Sequence, residues 1–454
     1  MRARLILGWL VVLTMVAAIG YAQEAPASRL SLADALDIAR RNNPAYLTRL
    51  SDRYPAAAAS LNSAASLFTP TLSIGGGSSW AQAGLLNLGP GLQYPLNRSQ
   101  SVGWNLNVFY QLSGQTIANR GFAAATLRAA DQDVAGQRTV LETSVKQEYI
   151  NLLEARAQAD LAQHVVNRAQ ELLNLAQARY NVGQNTMIDV RQAQVTKGNA
   201  DVALLQAQQN VDVEVLKLYQ LLGVPAPEPP NVVPTDTFPV VEPTYNEDSL
   251  VAIALKENPV LVSYRAREGA ATWSVRGAYS AYLPSLQFTA SYGKFSQDTY
   301  SKADSGILSV PYGPDTIVQH TTGTNPWNLR LSLSLPIFDA FSRHSAVSQA
   351  RANQQDLQYQ ILQQELMVRA NVSAAYLALM TAYRTIAVQA NNRTAADEAL
   401  SLATERYKVG SGSIIELNDA QVASEQAGVT YVNAVYDYHK SIAALELAVG
   451  QPLR

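Results

Sequence analysis

Two hydrophobic periods alternate along this 454-residue chain. From Leu30 to about Leu67, and again from Ser249 to about Tyr282, apolar residues recur at helical spacing, with breaks near Pro44 and Pro259. The period then drops to two. "WNLNVFY" sets Trp104, Leu106, Val108 and Tyr110 on one face and Asn105 and Asn107 on the other, and "LQFTASY" repeats the arrangement with Leu286, Phe288, Ala290 and Tyr292. "WNLRLSLSLP" is cleaner still, with Trp327, Leu329, Leu331, Leu333 and Leu335 opposed to Asn328, Arg330, Ser332 and Ser334. Such alternation predicts strands with one apolar and one polar face. A weaker strand is predicted from about Thr71 to Trp80, where Gly75 to Gly77 blur the pattern. The four strands form two pairs, about 70–112 and 284–336, each joined by a loop rich in Gly, Pro, Asn and Ser. The second loop runs roughly from Lys294 to Pro326.

Each strand pair runs into helix. No Pro occurs in 121–224 or 337–451, and His344 to Val409 holds neither Gly nor Pro. At ~1.5 Å per residue that stretch alone would make a rod of roughly 100 Å. Val145, Tyr149, Leu152, Ala155, Ala159, Ala162, Val166, Ala169, Leu173, Ala176 and Tyr180 step by threes and fours, close to the coiled-coil period. So many alanines suit helices packed side by side in a wall better than a two-stranded zipper. Each run is punctuated once, at "ARYNVGQNTMIDV" and "ERYKVGSGSIIEL". Gly183 and Gly410 permit the left-handed backbone of a reversal, and Thr186 and Ser413 suit N-caps of the returning helices. Two helical hairpins are predicted, 121–224 with its tip near 183 and 337–451 with its tip near 410.

The two tips are one motif used twice. Arg179, Tyr180, Val182, Gly183, Ile188, Ala193, Gln194 and Val195 recur 227 positions later as Arg406, Tyr407, Val409, Gly410, Ile415, Ala420, Gln421 and Val422. The same offset carries Leu218, Gly223 and Pro225 onto Leu445, Gly450 and Pro452. With slightly smaller offsets, "ARRNNP" answers "ALKENP", Pro70 answers Pro284, and Trp104-Asn105-Leu106 answers Trp327-Asn328-Leu329. A collinear series of this kind marks a tandem duplication. The first repeat is 23–230, the Pro-rich linker 231–248, and the second repeat 249–454.

Composition narrows the function. Charged residues make up 15% of the chain and the net charge is −2, so no basic excess exists to hold nucleic acid. The first residues, "MRARLILGWLVVLTMVAAIGYAQ", predict a signal peptide, 1–22, cleaved after Ala22. The rival, a membrane anchor, has to work with an apolar run from Leu5 to Ile19 that is short for spanning. There is no Cys, hence neither a disulfide nor a lipid-anchor cysteine. The four histidines, His164, His320, His344 and His439, show no metal-ligand spacing. Without a phosphate loop, HExxH or GxSxG, the sequence calls for no cofactor and no enzymatic reaction. Four strands cannot close a barrel, since the smallest outer-membrane barrels need about eight, and strands in lipid must leave no open edge. Either the strands belong to a soluble sheet or several chains pool them.

On these features the chain resembles the TolC-like outer-membrane efflux proteins. The resemblance covers essentially the whole mature sequence. It rests on the duplicated strand-pair and hairpin plan, on "YNVGQNTMIDV" and "YKVGSGSIIELNDA" at the tips, and on "LSLPIFDAFSR" where strand passes into helix. It implies a mixed α/β membrane protein of the outer membrane that extends into the periplasm. Three chains of four strands would form a homotrimeric twelve-stranded β-barrel in outer-membrane lipid, continuous with a long periplasmic α-helical barrel. The implied function is a passive duct of a tripartite efflux or type I secretion system. Its partners would be a periplasmic adaptor (membrane fusion) protein and an inner-membrane pump or secretion transporter. Residue by residue, Asp189, Tyr407, Glu416, Asn418 and Asp419 would form the periplasmic gate and lumen, with Glu416 and Asp419 as acidic rings. Val182, Gly183, Val409 and Gly410 would dock the adaptor. The same carboxylates also suit solvated first turns of a helix, and the same glycines suit plain turns. One departure concerns Gly412, which stands where TolC itself carries an arginine, so an arginine clamp between protomers is in doubt. The competing readings are a non-channel coiled-coil structural protein of the periplasm or outer membrane, or the adaptor itself.

Overall fold

The computed structural model describes residues 29–81, 84–89, 92–96, 98–184, 186–230, 232–301 and 316–453. The expected signal peptide and the middle of the second strand-pair loop lie outside them. The described chain is mostly helix, divided into two compact units that each draw on both halves of the sequence.

One unit comprises Leu50–Val134 and Pro259–Leu366. Its sheet has four antiparallel strands in the order β2 (Thr71–Ala81), β5 (Arg98–Leu112), β7 (Ser285–Ser301) and β8 (Thr316–Ser334). The short β1 belongs to the other unit. The register aligns the two periods predicted from the sequence. Leu72, Val108, Ala290 and Leu329 form one cross-strand row, and Leu112, Leu286 and Leu333 another. Between them Tyr110, Phe288 and Leu331 share a row. At one end of the band Tyr292 packs between Trp104 (ring centroids 5.8 Å apart) and Trp327 (5.4 Å). The other face carries rows such as Ser73, Asn107, Ser291 and Asn328. Leu72, Ile74, Leu329, Leu331 and Leu333 are all more than two-thirds exposed, so among the described residues this apolar face is largely uncovered.

Two loop expectations need correction. The first loop contains its own small hairpin, β3 (Gly84–Gly89) paired with β4 (Leu92–Leu96). The second loop is much shorter than Lys294 to Pro326, because β7 and β8 stay paired from Lys294 opposite Thr324 out to Ser301 opposite Thr316. In that extension β7 reads Lys-Phe-Ser-Gln-Asp-Thr-Tyr-Ser, mostly polar with one aromatic residue at each alternate set of positions, so it carries no period-two signal. Pro326 sits in β8 where the register shifts between Ser291 and Gly293; a bulge on an outer strand tolerates the missing N–H.

The helix boundaries also move. α3 spans Gly114–Asn181 and α7 spans Ser342–Lys408. The predicted start at Gly121 lies inside α3, where the ring of Trp273 on α6 (Pro259–Ser280) fills the space a side chain would take. That glycine serves close packing and not a boundary. Before α7 the chain passes through Ala340 (φ 52°) and Phe341 (φ 64°), both left-handed without being glycine. Arg343 braces this passage by bonding Asp339 at 2.8 Å and the Pro336 carbonyl at 2.7 Å.

The other unit comprises the described part of Met1–Arg49 with Ala135–Asn258 and Met367–Arg454. Here α3 and α7 meet their return helices, α4 (Met187–Leu222) and α8 (Ile414–Val449), each 36 residues long. Hydrogen bonds stitch α3 to α8 in antiparallel register. Lys146 pairs with Glu446 and Lys440 with Glu154, both at 2.5 Å, and Gln158 bonds Asn433 at 2.8 Å. The predicted seam of α3 is buried at Val145, Tyr149, Leu152, Ala155, Ala169 and Ala176. It drifts at its end, where Leu172 is buried and Tyr180 is exposed, because a straight helix of 3.6 residues per turn outruns a 3.5 repeat.

At the base of each hairpin a short helix ends at an Asn-Pro pair: α1 (Leu32–Asn42) before Asn43, and α5 (Glu247–Glu257) before Asn258. Both asparagines are buried. Asn43 donates its amide to the Leu221 carbonyl at 2.8 Å and Asn258 donates to Ala448 at 3.2 Å, so each satisfies an orphan carbonyl at the end of a return helix. The linker is strapped across the hairpins by two buried tyrosines. The Tyr149 hydroxyl shares its one proton between the Leu30 carbonyl at 2.9 Å and the Asp236 carboxylate at 2.8 Å, while Tyr438 donates to the Val241 carbonyl at 2.5 Å. A two-residue parallel pairing of β1 (Arg29–Leu30) with β6 (Val233–Pro234) completes the strap.

Candidate functional site

The tips of the two hairpins lie side by side in the second unit. α3 ends in a reversal at Gly183 (φ 74°), whose N–H donates to the Tyr180 carbonyl at 2.9 Å, and the N–H of Gln184 reaches back to Arg179 at 2.9 Å. These bonds satisfy carbonyls that a helix end leaves open, and only a residue content with positive φ can make the turn cheaply. α7 ends the same way at Gly410 (φ 78°), with Gly410 N–H donating to Tyr407 at 3.1 Å and Ser411 N–H donating to Arg406 at 2.9 Å. The returning helices start on the residues expected. Thr186 caps α4 and Ser413 caps α8, each hydroxyl accepting the backbone N–H three residues on.

Beneath the turns the tips share a small core. Leu172 and Ala176 of α3 and Val190 and Ala193 of α4 pack with Leu400, Ala403 and Tyr407 of α7 and with Ile414 and Leu417 of α8. A groove of about 640 Å³ opens between the hairpins, lined among others by Arg179, Ile188, Asp189, Tyr407, Gly410 and Ser413.

The expected gate residues are not one cluster. Asp189 and Tyr407 line this groove together. Asp189 spends its carboxylate on a capping box, accepting the Thr186 N–H at 2.9 Å and the Thr186 hydroxyl at 3.0 Å. Tyr407 is buried, 3% exposed, against the tip core. Glu416 accepts from Arg406 of its own hairpin. Asn418 faces a different groove, of about 450 Å³, bounded by Arg168, Gln192, Asn199 and Glu425, and its Oδ1 is buried with no hydrogen-bond partner among the described residues. Asp419 is exposed. Of the four docking candidates, Val182 and Val409 are exposed at 69% and 77%, and Gly183 and Gly410 are exposed turn residues. Ile188 and Ile415, at 76% and 67%, add apolar surface beside them.

Two arginines escaped the sequence reading. Arg179 donates to the Tyr407 carbonyl and lies 5.2 Å over the Tyr407 ring, so the first hairpin grips the second. Its counterpart Arg406 binds Glu416 instead. The signal was present in the repeat itself, since both head the Arg-Tyr-x-Val-Gly motif, but nothing in the motif says which carbonyl or carboxylate each would find. Among the described residues no cluster of His, Cys, Asp and Glu could hold a metal ion, and no helix is long and apolar enough to cross a membrane.

The chain was compared with known proteins. The family profile described as outer membrane efflux protein matches twice, over residues 35–224 and 250–451. The outer membrane protein TolC of Escherichia coli (strain K12) is 26% identical over 69% of this chain and 62% of its own length, so the matched part spans about three-fifths of that relative. The TolC of Vibrio cholerae serotype O1 is 23% identical over 92% of this chain and 90% of its own length. Among solved structures, the outer-membrane channel OprN superposes with a TM-score of 0.73 at 18% identity, covering 92% of this chain and 89% of its own. The open-state MtrE channel of Neisseria gonorrhoeae gives 0.71 at 22% identity, covering 93% and 89%. The structural likenesses speak for the fold, and the double profile match, which takes in most of the chain, for the ancestry: the chain belongs to the outer membrane efflux protein family.

Proposed function

We propose that this chain is one third of an outer-membrane duct for efflux or type I secretion. Three copies pool their sheets into a twelve-stranded barrel, and the helical hairpins form the periplasmic conduit. The observation that carries the reading is the four-stranded sheet whose apolar face is largely uncovered and whose two outer edges are unpaired among the described residues. In water an apolar band across four strands would be an aggregation site, and in lipid an open edge would strand its N–H and C=O groups. Closure with other copies of the same sheet removes both problems. The band also has the right height. Trp104 to Leu112 spans eight steps of ~3.4 Å, and a tilt of ~40° leaves about 21 Å, near the ~25 Å apolar band of such barrels.

The tandem duplication is supported by element lengths. α1 and α5 both have 11 residues, α2 (Pro44–Ala65) and α6 both have 22, α4 and α8 both have 36, and α3 and α7 have 68 and 67. The two separate profile matches point the same way. The repeats are 23–230 and 249–454, joined by the linker 231–248.

The tips are the periplasmic end. Asp189, Tyr407, Glu416, Asn418 and Asp419 belong to the gate and lumen. Val182, Gly183, Val409 and Gly410, with their exposed apolar neighbours, meet a periplasmic adaptor, and the adaptor couples the duct to an inner-membrane pump or secretion transporter. The duct itself is passive and catalyses nothing. Purified protein in detergent should run as a heat-labile trimer and give cation-preferring steps in planar bilayers. Asp419→Asn should weaken that preference. A monomer without ion flow would overturn the duct, and an unchanged preference in Asp419→Asn would remove that residue from the lumen.

A further inference from the structure

The tips are built from the same motif yet are wired differently, and the difference has a chemical origin. In the second hairpin Arg406 and Glu416, ten positions apart, form an ion pair within the hairpin. The repeat places Arg179 and Asp189 at the same two positions of the first hairpin. That pair is not what Arg179 forms. The carboxylate of Asp189 is one methylene shorter and is committed to Thr186. The Arg179 side chain crosses instead to the last turn of α7, where it donates to the Tyr407 carbonyl and stacks over the Tyr407 ring. A cation is well placed there, since the carbonyls at a helix C-terminus carry partial negative charge. Its Nε is buried with no hydrogen-bond partner among the described residues, so the guanidinium has given up water on that side for this seat.

The neighbouring glycine fits the same picture. A Cβ on Gly410 would come within 3.0 Å of Arg179 Nη2, whereas Gly183 at the equivalent place has nothing within 4 Å. The absent side chain at Gly410 therefore leaves room that the guanidinium uses.

We infer that Arg179 is an intrachain latch that holds the second hairpin tip against the first and so biases the duct toward its closed state. This rests on the duct reading given above. Opening, on this account, carries the α7 end away from α3, against which it also packs through the apolar contacts of the tip core. The latch is distinct from any clamp between protomers and does not need an arginine at Gly412. It also gives the Asp189 side chain a second consequence: being too short and otherwise engaged, it leaves Arg179 free to cross.

The test is single-channel recording on trimers of Arg179→Ala, Arg179→Lys and Asp189→Glu. Arg179→Ala should raise open probability about tenfold or more, the equilibrium factor of one charge-assisted hydrogen bond. Arg179→Lys, which keeps the charge but loses the planar fork, should fall between. Asp189→Glu supplies the longer carboxylate found at Glu416; it should recruit Arg179 back into its own hairpin and open the duct without removing the cation. Adding Arg179→Ala to Asp189→Glu should then change nothing further. Trimer content on native gels controls for misfolding, and Asp189→Glu, which retains both partners, carries the inference if Arg179→Ala fails to assemble. Wild-type currents with unchanged open probability in Arg179→Ala and Asp189→Glu would overturn the latch while leaving the duct intact. The absence of currents from wild type would count against the duct itself.

Discussion

Gly183 and Gly223 have the same backbone, φ 74° at both, and very different surroundings. They separate the two costs of giving a left-handed position a side chain. Alanine at either pays ~1–2 kcal/mol for the conformation, partly offset by ~0.4–1 kcal/mol from a stiffer unfolded chain. At Gly183 nothing lies within 4 Å of the new Cβ, so the net loss should be about 1 kcal/mol or less. At Gly223 the Cβ would fall inside contact distance of the Asn42 carbonyl oxygen, 2.7 Å from that carbonyl carbon and 3.0 Å from Asn43 Cα. These are backbone atoms at the end of α1, and the Asn43 amide ties them to the Leu221 carbonyl at 2.8 Å, so they cannot swing aside as a side-chain tip would. Overpacking of this kind costs ~1–3 kcal/mol, and disturbing the Asn43 bond adds ~0.5–1.5 kcal/mol. Gly223→Ala should therefore be less stable than Gly183→Ala by about 2 kcal/mol or more, a factor of ~30 in the unfolding equilibrium. In thermal melts of the detergent-solubilised protein followed by circular dichroism, an unfolding entropy scaled to 454 residues makes the gap roughly 2 °C or more. Equal melting temperatures, or a lower one for Gly183→Ala, would refute the claim that the α4 end is wedged against the α1 end.

Three further outcomes are expected. Gly183→Trp should abolish export while leaving trimers intact, because its site is open space and the new ring would obstruct docking; it is a cleaner probe than Gly410→Trp, which would also press on Arg179. Burial, together with the neighbouring Glu214 carboxyl, pushes Glu148 up to about 7. A raised carboxyl favours the folded state most below the ordinary carboxylate range and loses that advantage as pH rises through 7, so the melting temperature should fall between pH 5 and 8, and Glu148→Gln should flatten the slope. Phe341→Gly should raise the melting temperature slightly, since relief of ~1–2 kcal/mol at φ 64° outweighs the ~0.5–1 kcal/mol entropy cost of glycine, and the ring it removes is 72% exposed.

What the sequence announced and what it withheld follow from the environment of each residue. Strand alternation was legible from Trp104 to Tyr110 and from Trp327 to Leu335 because one face is apolar and the other polar. It vanished from Lys294 to Ser301, where Phe295 and Tyr300 fall on opposite alternations of a mostly polar stretch and pairing continues without a pattern. The turn glycines 183 and 410 were legible because positive φ selects glycine and N-caps follow at once, whereas Gly121 was misread because close approach to Trp273 selects glycine just as strongly. The buried Asn43 and Asn258 appeared in the sequence as part of a repeated Asn-Pro, but not as the amides that close α4 and α8, since their partners lie 178 and 190 positions away. Asp189 and Tyr407, both expected at the gate, line one groove; the arginine that joins the tips was invisible because the motif does not say which partner it finds, and that choice turns on a single methylene at position 189.

In the proposed duct, two like hairpins per chain gain from being unlike at a few positions. Two equal repeats in three copies would make a pseudo-sixfold tube in which every hairpin moves alike. The side chains break that equivalence. Along α3 and α8 the rungs Lys146–Glu446, Glu154–Lys440 and Gln158–Asn433 fix one register between the hairpins, and the part-buried ion pairs among them are worth more for specifying that register than for stability. At the far end the α7 tip meets α3 through apolar packing and through Arg179. A hairpin anchored by several directional bonds at its base and by Arg179 near its tip would pivot at the tip first once that bond is broken. On the duct reading, two rods of matching length differ at a handful of polar positions, and those differences set which of them yields.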